Sequence, residues 1–134
     1  MLFERPEPDV VAMRVGTDIV EVERLARSLR RQPEFATSVF SDEERRYCDA
    51  QARPEQHYAA RFAAKEAFLK AVGRGVLDGV ALAEIEVVRA DGQAPAFRLG
   101  ASAAAALAQA GGGQAVVSLS HDGGMAIAFV MVCA

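Results

Sequence analysis

Residues 61–71 of the sequence read RFAAKEAFLKA, and this stretch decides how the rest of the chain must fold. On a helical wheel, small or apolar side chains cover nearly every direction. A helix with that pattern is buried in a protein core. The pattern extends the predicted helix over residues 55–73, where Gly73 suits a helix C-terminus. This buried stretch nevertheless carries charged side chains, namely Arg61, Lys65, Glu66 and Lys70.

The sequence before this helix predicts one strand and two shorter helices. Residues 14–22 alternate apolar and polar side chains and are rich in β-branched residues, which is typical of a strand. Residues 21–31 carry apolar residues at the spacing of an amphipathic helix. Ser41 and Glu44 have the spacing of a capping box, which predicts that another helix starts near Asp42.

The sequence after the helix predicts two hairpins with an alanine-rich helix between them. These elements are the hairpin strands 85–89 and 96–99, the helix 101–110, and the hairpin strands 114–119 and 125–132. Because strands and helices do not alternate regularly, a doubly wound parallel sheet is excluded. The predicted fold class is α+β, with an antiparallel sheet packed against a long central helix.

Length and composition indicate an ordinary globular protein. The chain has 134 residues, of which 51% are hydrophobic and 25% charged. We expect one domain over residues 14–134, preceded by a flexible extension over residues 1–13. A net charge of −3 argues against general nucleic-acid binding. We find no transmembrane segment or signal peptide, so the prediction is a cytoplasmic protein without a membrane partner. The two cysteines have no spacing that indicates a disulfide or zinc framework.

Two interpretations of the charged residues in the buried helix remain open. In the first, Glu66 and Lys70 form an i, i+4 ion pair on an ordinary amphipathic helix. In the second, Glu66 binds a cation or acts as a base. Arg61, Lys65 and Lys70 would then face an anion. The turn Gly73-Arg74-Gly75 fits the second interpretation, because arginine and exposed backbone amides suit a phosphate group.

Asp18 and His121 are each open to two interpretations as well. Asp18 lies within a predicted strand, where aspartate is disfavoured, and it either caps the next helix or binds a metal. Magnesium typically takes one or two protein carboxylates and completes its shell with water and substrate phosphate. Asp18 and Glu66 would make such a site if the fold brought them together. His121 is either a plain turn histidine or a phosphate contact.

Three segments of the chain resemble the holo-acyl-carrier-protein synthases, the small single-domain group of 4′-phosphopantetheinyl transferases. The segments are GTDIVEVER at residues 16–24, RFAAKEAFLKA at 61–71 and VSLSHD at 117–122. They occur in the order and approximate spacing of the family. The hairpin residues 85–87 and 91–95 are also similar to the family, and the resemblance covers residues 14–132.

The resemblance implies the 4′-phosphopantetheinyl transferase fold and a homotrimer with active sites at the subunit interfaces. It also implies a reaction in which 4′-phosphopantetheine passes from coenzyme A to a serine of an apo acyl carrier protein. The second product of that reaction is adenosine 3′,5′-bisphosphate. The family needs magnesium, which the residues matching Asp18 and Glu66 hold. The general base is open between Glu66 and a water molecule on the metal.

The charge and position of individual residues predict their roles in the implied reaction. Glu66 and Lys70 are the expected catalytic residues, since Lys70 is placed to neutralise the leaving phosphate. The expected coenzyme A contacts are Arg61, Lys65, Lys70, Gly73, Arg74, Gly75 and His121. Arg24 matches an arginine in the helix that docks the acidic carrier protein. With Arg27 and Arg31 it forms either that docking surface or an ordinary solvated helix face.

Two other functions use some of the same residues. A non-catalytic module that binds coenzyme A or a nucleotide would keep the basic residues without needing both carboxylates. A metal-dependent phosphoesterase would use the same metal and phosphate groups, with water as the nucleophile. The sequence leaves open which carrier protein is used, whether acyl-coenzyme A is accepted, and whether manganese replaces magnesium.

Overall fold

The secondary structure consists of helices and antiparallel strands in a mixed order. The computed structural model describes residues 13–76 and 78–134. The elements are β1 (Met13–Glu21), α1 (Val22–Arg31), α2 (Pro33–Val39), α3 (Asp42–Asp49), α4 (Pro54–Val72), β2 (Ile85–Val88), β3 (Ala96–Leu99), α5 (Ala101–Gln109), β4 (Gln114–Asp122) and β5 (Met125–Cys133). The predicted α+β class with antiparallel pairing is confirmed. Of the predicted extension, residues 1–12 lie outside the described part, and Met13 is the first residue of β1.

The strands form two separate antiparallel sheets. Within the described residues the larger sheet has the order β1-β5-β4, and β2 pairs with β3. In the larger sheet Asp18 lies opposite Ala128, which in turn lies opposite Leu119. The predicted turn after β4 is shorter than expected, because His121 still belongs to the strand. The turn between β4 and β5 consists of Gly123 and Gly124, whose φ angles are +57° and +80°.

The 19-residue helix α4 packs against one face of the larger sheet at very close range. A Cβ atom added to Gly16 of β1 would lie 2.8 Å from the backbone nitrogen of Ala71, and closer still to the carbonyl oxygen of Ala67. Such distances are shorter than van der Waals contact, so only glycine fits at this crossing. The close approach brings the side of β1 that carries Asp18 next to α4.

Two apolar clusters lie on either side of this crossing. One joins the C-terminal half of α4 to the larger sheet, the β2–β3 hairpin and α5. The other joins α1, α2 and α3 to the first turns of α4 around Phe40 and Tyr58. Helix α2 was not predicted, because its seven residues show too little periodicity, yet its Phe35 packs against Phe62 with ring centroids 5.9 Å apart. None of the helices in the described ranges combines the length and apolar character needed to cross a membrane.

The outer face of the larger sheet is apolar and exposed. Side chains of β1, β5 and β4 alternate between the face under α4 and this outer face. The large apolar residues exposed on it are Met13, Val15, Ile19, Val116, Ile127 and Phe129, with exposures between 41% and 64%. A contiguous apolar patch of this kind marks an interaction surface more often than a solvated one.

Candidate active site

Asp18 and Glu66, 48 positions apart in the sequence, line one cavity of about 340 Å³. Asp18 lies on the face of β1 that α4 covers, and Glu66 lies on the adjoining side of α4. Partial burial raises the pKa of Glu66, and the nearby carboxylate of Asp18 raises it further. Lys70 opposes this shift. The effect of Asp18 on this pKa agrees with the shared cavity in placing the two carboxyl groups near each other.

Lys70 lies beside this carboxylate pair, one helical turn after Glu66. Its ammonium group donates to the carbonyl oxygen of Thr17 at 3.0 Å and to Asp18 Oδ1 at 3.1 Å. The Lys70 side chain is 56% exposed, whereas that of Asp18 is 19% exposed. The ammonium group of Lys70 is therefore accessible to a ligand that approaches from solvent. The carboxylate of Asp18 is held in place by its surroundings.

The rest of the cavity wall is mixed in character. Leu25, Phe35 and Phe62 give it an apolar part, and Glu21, Arg24 and Ser28 add polar side chains. One cavity thus offers the carboxylates of Asp18 and Glu66 to a cation and an apolar surface to an organic group. Such a combination of apolar surface with a few polar groups is typical of a small-molecule site.

The donor set of the cavity fits magnesium. Two carboxylates supply hard oxygen ligands, and the cavity leaves space for the waters or phosphate oxygens that complete a magnesium shell. Within residues 13–76 and 78–134 there is no group of three or more His, Cys, Asp or Glu side chains arranged to hold a metal. A zinc-like site with three or four protein ligands is therefore not built by the described residues.

Lys65 does not lie at this site, which corrects its expected role as a coenzyme A contact. Its side chain is fully buried, and its ammonium group lies 2.7 Å from Glu44 Oε1. It also donates to the carbonyl oxygens of Leu82 and Ile85 at 2.9 and 2.8 Å. All three ammonium hydrogens are thus used inside the fold, and none is left for a phosphate. Burial lowers the pKa of Lys65, and Glu44 opposes that shift.

Arg61 is buried but retains an unused donor. Its side chain is only 2% exposed, and its guanidinium carbon lies 4.2 Å from the centre of the Tyr47 ring. The Nε atom of Arg61 is buried without a hydrogen-bond partner. An unpaired buried donor is costly, and an acceptor atom from a ligand or from water would satisfy it.

Further cationic groups surround Arg61. Arg61 and Arg89 line two cavities. The first, of about 290 Å³, also contains Arg46, Tyr47 and the carboxylate of Glu43, and the second, of about 300 Å³, also contains His57 and His121. Burial lowers the pKa of His57, and the positive charges of Arg61, His121 and Arg89 lower it further. His57 and Arg89 were missed at the sequence level. His57 has no recognisable motif, and Arg89 is only one of many charged residues at hairpin ends.

The expected glycine turn after α4 has the backbone conformation required of it. Gly73 has a φ of +73° and ends the helix in the left-handed conformation. The guanidinium of Arg74 donates to the side chain of Gln109 and to the carbonyl oxygen of Asp78. Neither Gly73, Arg74 nor Gly75 lines the carboxylate cavity or the cavities around Arg61. Phosphate contacts by this turn remain a prediction.

The arginines of α1 form a basic surface that reaches the carboxylate cavity. Arg24, Arg27 and Arg31 line a shallow groove of about 270 Å³. Arg24 lines both this groove and the cavity that contains Asp18. Arg30 does not line this groove, and its guanidinium forms an ion pair with Glu23 Oε1 at 3.1 Å. A partner bound to the groove would therefore have one end beside the carboxylates.

The sequence and the fold are similar to those of known proteins. Residues 14–129 match the model of the 4′-phosphopantetheinyl transferase superfamily. A holo-[acyl-carrier-protein] synthase of Geobacter sp. (strain M21) is 41% identical over 118 residues, which are 87% of this chain and 94% of that protein. The corresponding synthase of Geobacter metallireducens is 42% identical over 118 residues, with the same shares covered. A solved complex of ACPS with CoA from Chronobacterium ammoniagenes superposes with a TM-score of 0.79 at 36% identity, covering 91% of this chain and 97% of that one.

Proposed function

The chain belongs to the 4′-phosphopantetheinyl transferase superfamily, and on that premise we propose that it is a holo-[acyl-carrier-protein] synthase. It transfers the 4′-phosphopantetheine group from coenzyme A to a serine of an apo acyl carrier protein. Adenosine 3′,5′-bisphosphate leaves as the second product. The observation that carries this proposal is the meeting of Asp18 and Glu66 in one cavity beside Lys70 and Arg24. A cytoplasmic location stays a prediction from the sequence.

Asp18 and Glu66 would hold the magnesium ion. When bound, the ion would neutralise the diphosphate of coenzyme A and make it a better electrophile. The two carboxylates come from different elements, so the fold fixes their separation before any ligand arrives. Partial burial and mutual repulsion disfavour two bare charges here, which favours uptake of a divalent cation.

Lys70 and Glu66 contribute directly to the transfer. The serine oxygen of the carrier protein forms a bond to the phosphorus that bears pantetheine, and the bond from that phosphorus to the leaving bisphosphate breaks. Lys70 neutralises the charge that develops on the departing oxygen. The serine proton passes to Glu66 or to water. The chain needs no nucleophile of its own, because the partner supplies the hydroxyl group.

Arg61, His121, His57 and Arg89 form the proposed binding site for the remaining phosphate charge of coenzyme A. The unpaired Nε donor of Arg61 supports this assignment, as does the collection of cationic groups around it. A guanidinium fixed by stacking on Tyr47 is already oriented for a forked contact to phosphate oxygens. Lys65 is excluded from this set because the fold uses all of its donors.

A homotrimer with interfacial active sites is part of the proposal. The apolar outer face of the sheet, with Ile19, Ile127 and Phe129 exposed, supports burial against other copies of the chain. The carboxylate pair lies at the β1 edge of this sheet, whereas His121 lies at the β4 edge, with β5 between them. This separation supports a complete site in which neighbouring copies contribute different edges.

The basic groove of α1 is the proposed docking surface for the carrier protein. Arg24, Arg27 and Arg31 offer positive charge to an acidic partner. Charge complementarity of this kind accelerates encounter and sets orientation. Because Arg24 also borders the carboxylate cavity, docking there would bring the acceptor serine to the reacting phosphate.

The direct test is whole-protein mass spectrometry of an apo acyl carrier protein incubated with coenzyme A, magnesium and this protein. We expect the carrier to gain the mass of one phosphopantetheine group, and Asp18→Asn and Glu66→Gln variants to lose nearly all of this activity. Full activity in either variant would overturn the assignment of the carboxylates. Omission of the carrier protein is the control, since release of free phosphopantetheine in its absence would identify a phosphoesterase instead. Tight coenzyme A binding without turnover on several carriers would identify a non-catalytic module.

A further inference from the structure

The interior of the protein contains one fully buried ion pair, between Glu44 of α3 and Lys65 of α4, among the described residues. Both side chains have an exposed fraction of 0%, and the two charged atoms are 2.7 Å apart. Buried pairs often add little to stability compared with apolar residues of the same size. The retention of this pair next to Glu66 therefore calls for a different explanation.

Glu44 is itself fixed from several directions. Its Oε1 atom accepts from the backbone nitrogen of Ser41 at 3.0 Å, and its Oε2 atom accepts from that of Val87 at 3.1 Å. The hydroxyl oxygen of Ser41 accepts a hydrogen bond from the backbone nitrogen of Glu44, which completes the capping box of α3. Glu44 thus joins the start of α3 to β2, and it presents an anion at a defined position to α4.

Helix α4 is held near Glu66 by apolar contacts and by directed ones. From residue 59 to residue 67 its buried side chains are alanines, apart from Arg61 and Lys65, and the large apolar residues Phe68 and Leu69 follow. Apolar contacts are non-directional, so they tolerate a small rotation of the helix better than hydrogen bonds do. Lys65, by contrast, makes three directed hydrogen bonds, to Glu44 and to the carbonyl oxygens of Leu82 and Ile85.

We infer that the Glu44–Lys65 ion pair sets the rotation of α4 and thereby aims Glu66 at Asp18, which makes Glu44 and Lys65 positioning residues for the carboxylate pair. Lys65 immediately precedes Glu66, so a change in its anchorage reaches Glu66 through one peptide unit. Lys70 fixes the helix on the other side through its contacts to β1. The inference rests on the proposed function, because it takes the carboxylates of Asp18 and Glu66 to hold magnesium.

The test compares Lys65→Met and the double variant Glu44→Gln/Lys65→Met with the parent protein. Lys65→Met leaves a buried carboxylate without its partner, so it should lose stability whether or not Lys65 positions Glu66. The double variant removes both charges, and the glutamine side chain that replaces Glu44 keeps an oxygen that can accept from the backbone nitrogen of Val87. We expect its Tm to recover most of the decrease seen in Lys65→Met. If Lys65 positions Glu66, calorimetry will still show magnesium binding weakened about tenfold or more in the double variant. A return of magnesium affinity together with Tm would overturn the inference.

Leu107→Ala is the matched control, because Leu107 is a buried residue of α5 that lines none of the cavities described above. It should lower Tm while leaving magnesium affinity within about twofold of the parent. An equal loss of affinity in this control would show that instability alone weakens the site, and would overturn the inference.

Amide hydrogen exchange of the metal-free proteins separates this inference from the proposed function. Residues 63–69 of α4 should exchange about tenfold faster in the double variant than in Leu107→Ala. Unchanged exchange there would contradict the positioning role, whatever the protein's activity. If the parent binds no magnesium but the exchange result holds, the proposed metal site fails and the anchoring of α4 stands.

Discussion

Lys70 Nζ lies 3.1 Å from Asp18 Oδ1, and this contact joins the middle of β1 to the C-terminal half of α4. The lysine is exposed and the aspartate is half-buried, so solvent reaches the lysine end of the pair more freely. The same lysine also lowers the electrostatic cost of placing Glu66 near Asp18. Lys70 thus supports the metal-free site and is available to a phosphate.

We expect Lys70→Met to lower kcat about 100-fold or more, because the variant loses the charge that stabilises the leaving oxygen. KM for the carrier protein should change less than twofold. Lys70→Arg keeps the charge with a different geometry and should retain part of the activity. Steady-state kinetics with coenzyme A and an apo carrier protein measure both effects. A kcat for Lys70→Met equal to that of the parent would remove Lys70 from the mechanism.

Glu66→Gln should abolish activity and stabilise the metal-free protein. A carboxyl group whose pKa is raised on folding stabilises the fold while protonated, and loses that contribution as the pH rises through the raised value. The variant and the parent should therefore have the same Tm near pH 4, with the variant higher at pH 8. Thermal melts without magnesium measure this gap. A variant that melts below the parent at pH 8 would contradict it.

Gly16→Ala should destabilise the protein by about 2 kcal/mol or more, since an added methyl group overlaps the backbone of α4. Relief of the overlap moves β1 away from α4, so magnesium affinity should fall as well. Denaturant unfolding and calorimetry measure the two effects. Gly92→Ala is the comparison variant, because at its φ of +73° an alanine is strained but overlaps nothing, so it should lose some stability and no magnesium affinity. Equal effects at the two positions would contradict the close-packing explanation.

Arg61→Lys should raise KM for coenzyme A about tenfold, because lysine cannot reproduce the forked contact or the stacking on Tyr47. KM for the carrier protein should stay within twofold. Arg24→Glu should give the opposite pattern, with the larger effect on the carrier protein and a strong dependence on salt. Measured side by side, the two variants test the separation of the two binding surfaces. Equal effects on both substrates in either variant would contradict it.

Phe129→Glu should prevent the proposed assembly, because it places a charge in the middle of the apolar outer sheet face. Light scattering after size-exclusion chromatography should show a trimer for the parent and a monomer for the variant. Activity should fall with the trimer, since neighbouring copies would contribute different edges to each site. A monomeric and fully active parent would overturn this part of the proposal.

The sequence was informative wherever a local pattern has one structural meaning. The capping box of Ser41 and Glu44 and the glycine at the end of α4 each identify a helix boundary, and the structure contains both. The short helix α2 was missed because seven residues give less than two full periods of a helical pattern. The pairing of Asp18 with Glu66 could be suggested by the family resemblance, but periodicity carries no information about contacts between residues 48 positions apart.

Lys65 shows why a motif does not by itself assign a role. Lys65 and Lys70 lie in the same segment and have the same chemistry, yet one points into the core and the other to solvent. The partner that decides this, Glu44, belongs to α3 and was recognised from sequence only as a capping residue. His57 and Arg89 illustrate the converse case, since their shared cavity depends on the placement of α4 relative to the β2–β3 hairpin.

The pairing of β1 with β5 has a consequence for folding during synthesis on the ribosome. The strand that carries Asp18 is hydrogen-bonded to residues 125–133, which are synthesised more than a hundred residues after it. Among the described residues, a nascent chain without β5 lacks the strand against which β1 aligns that aspartate. Catalytic competence is therefore expected to arise only after β5 has left the exit tunnel, and not gradually during elongation.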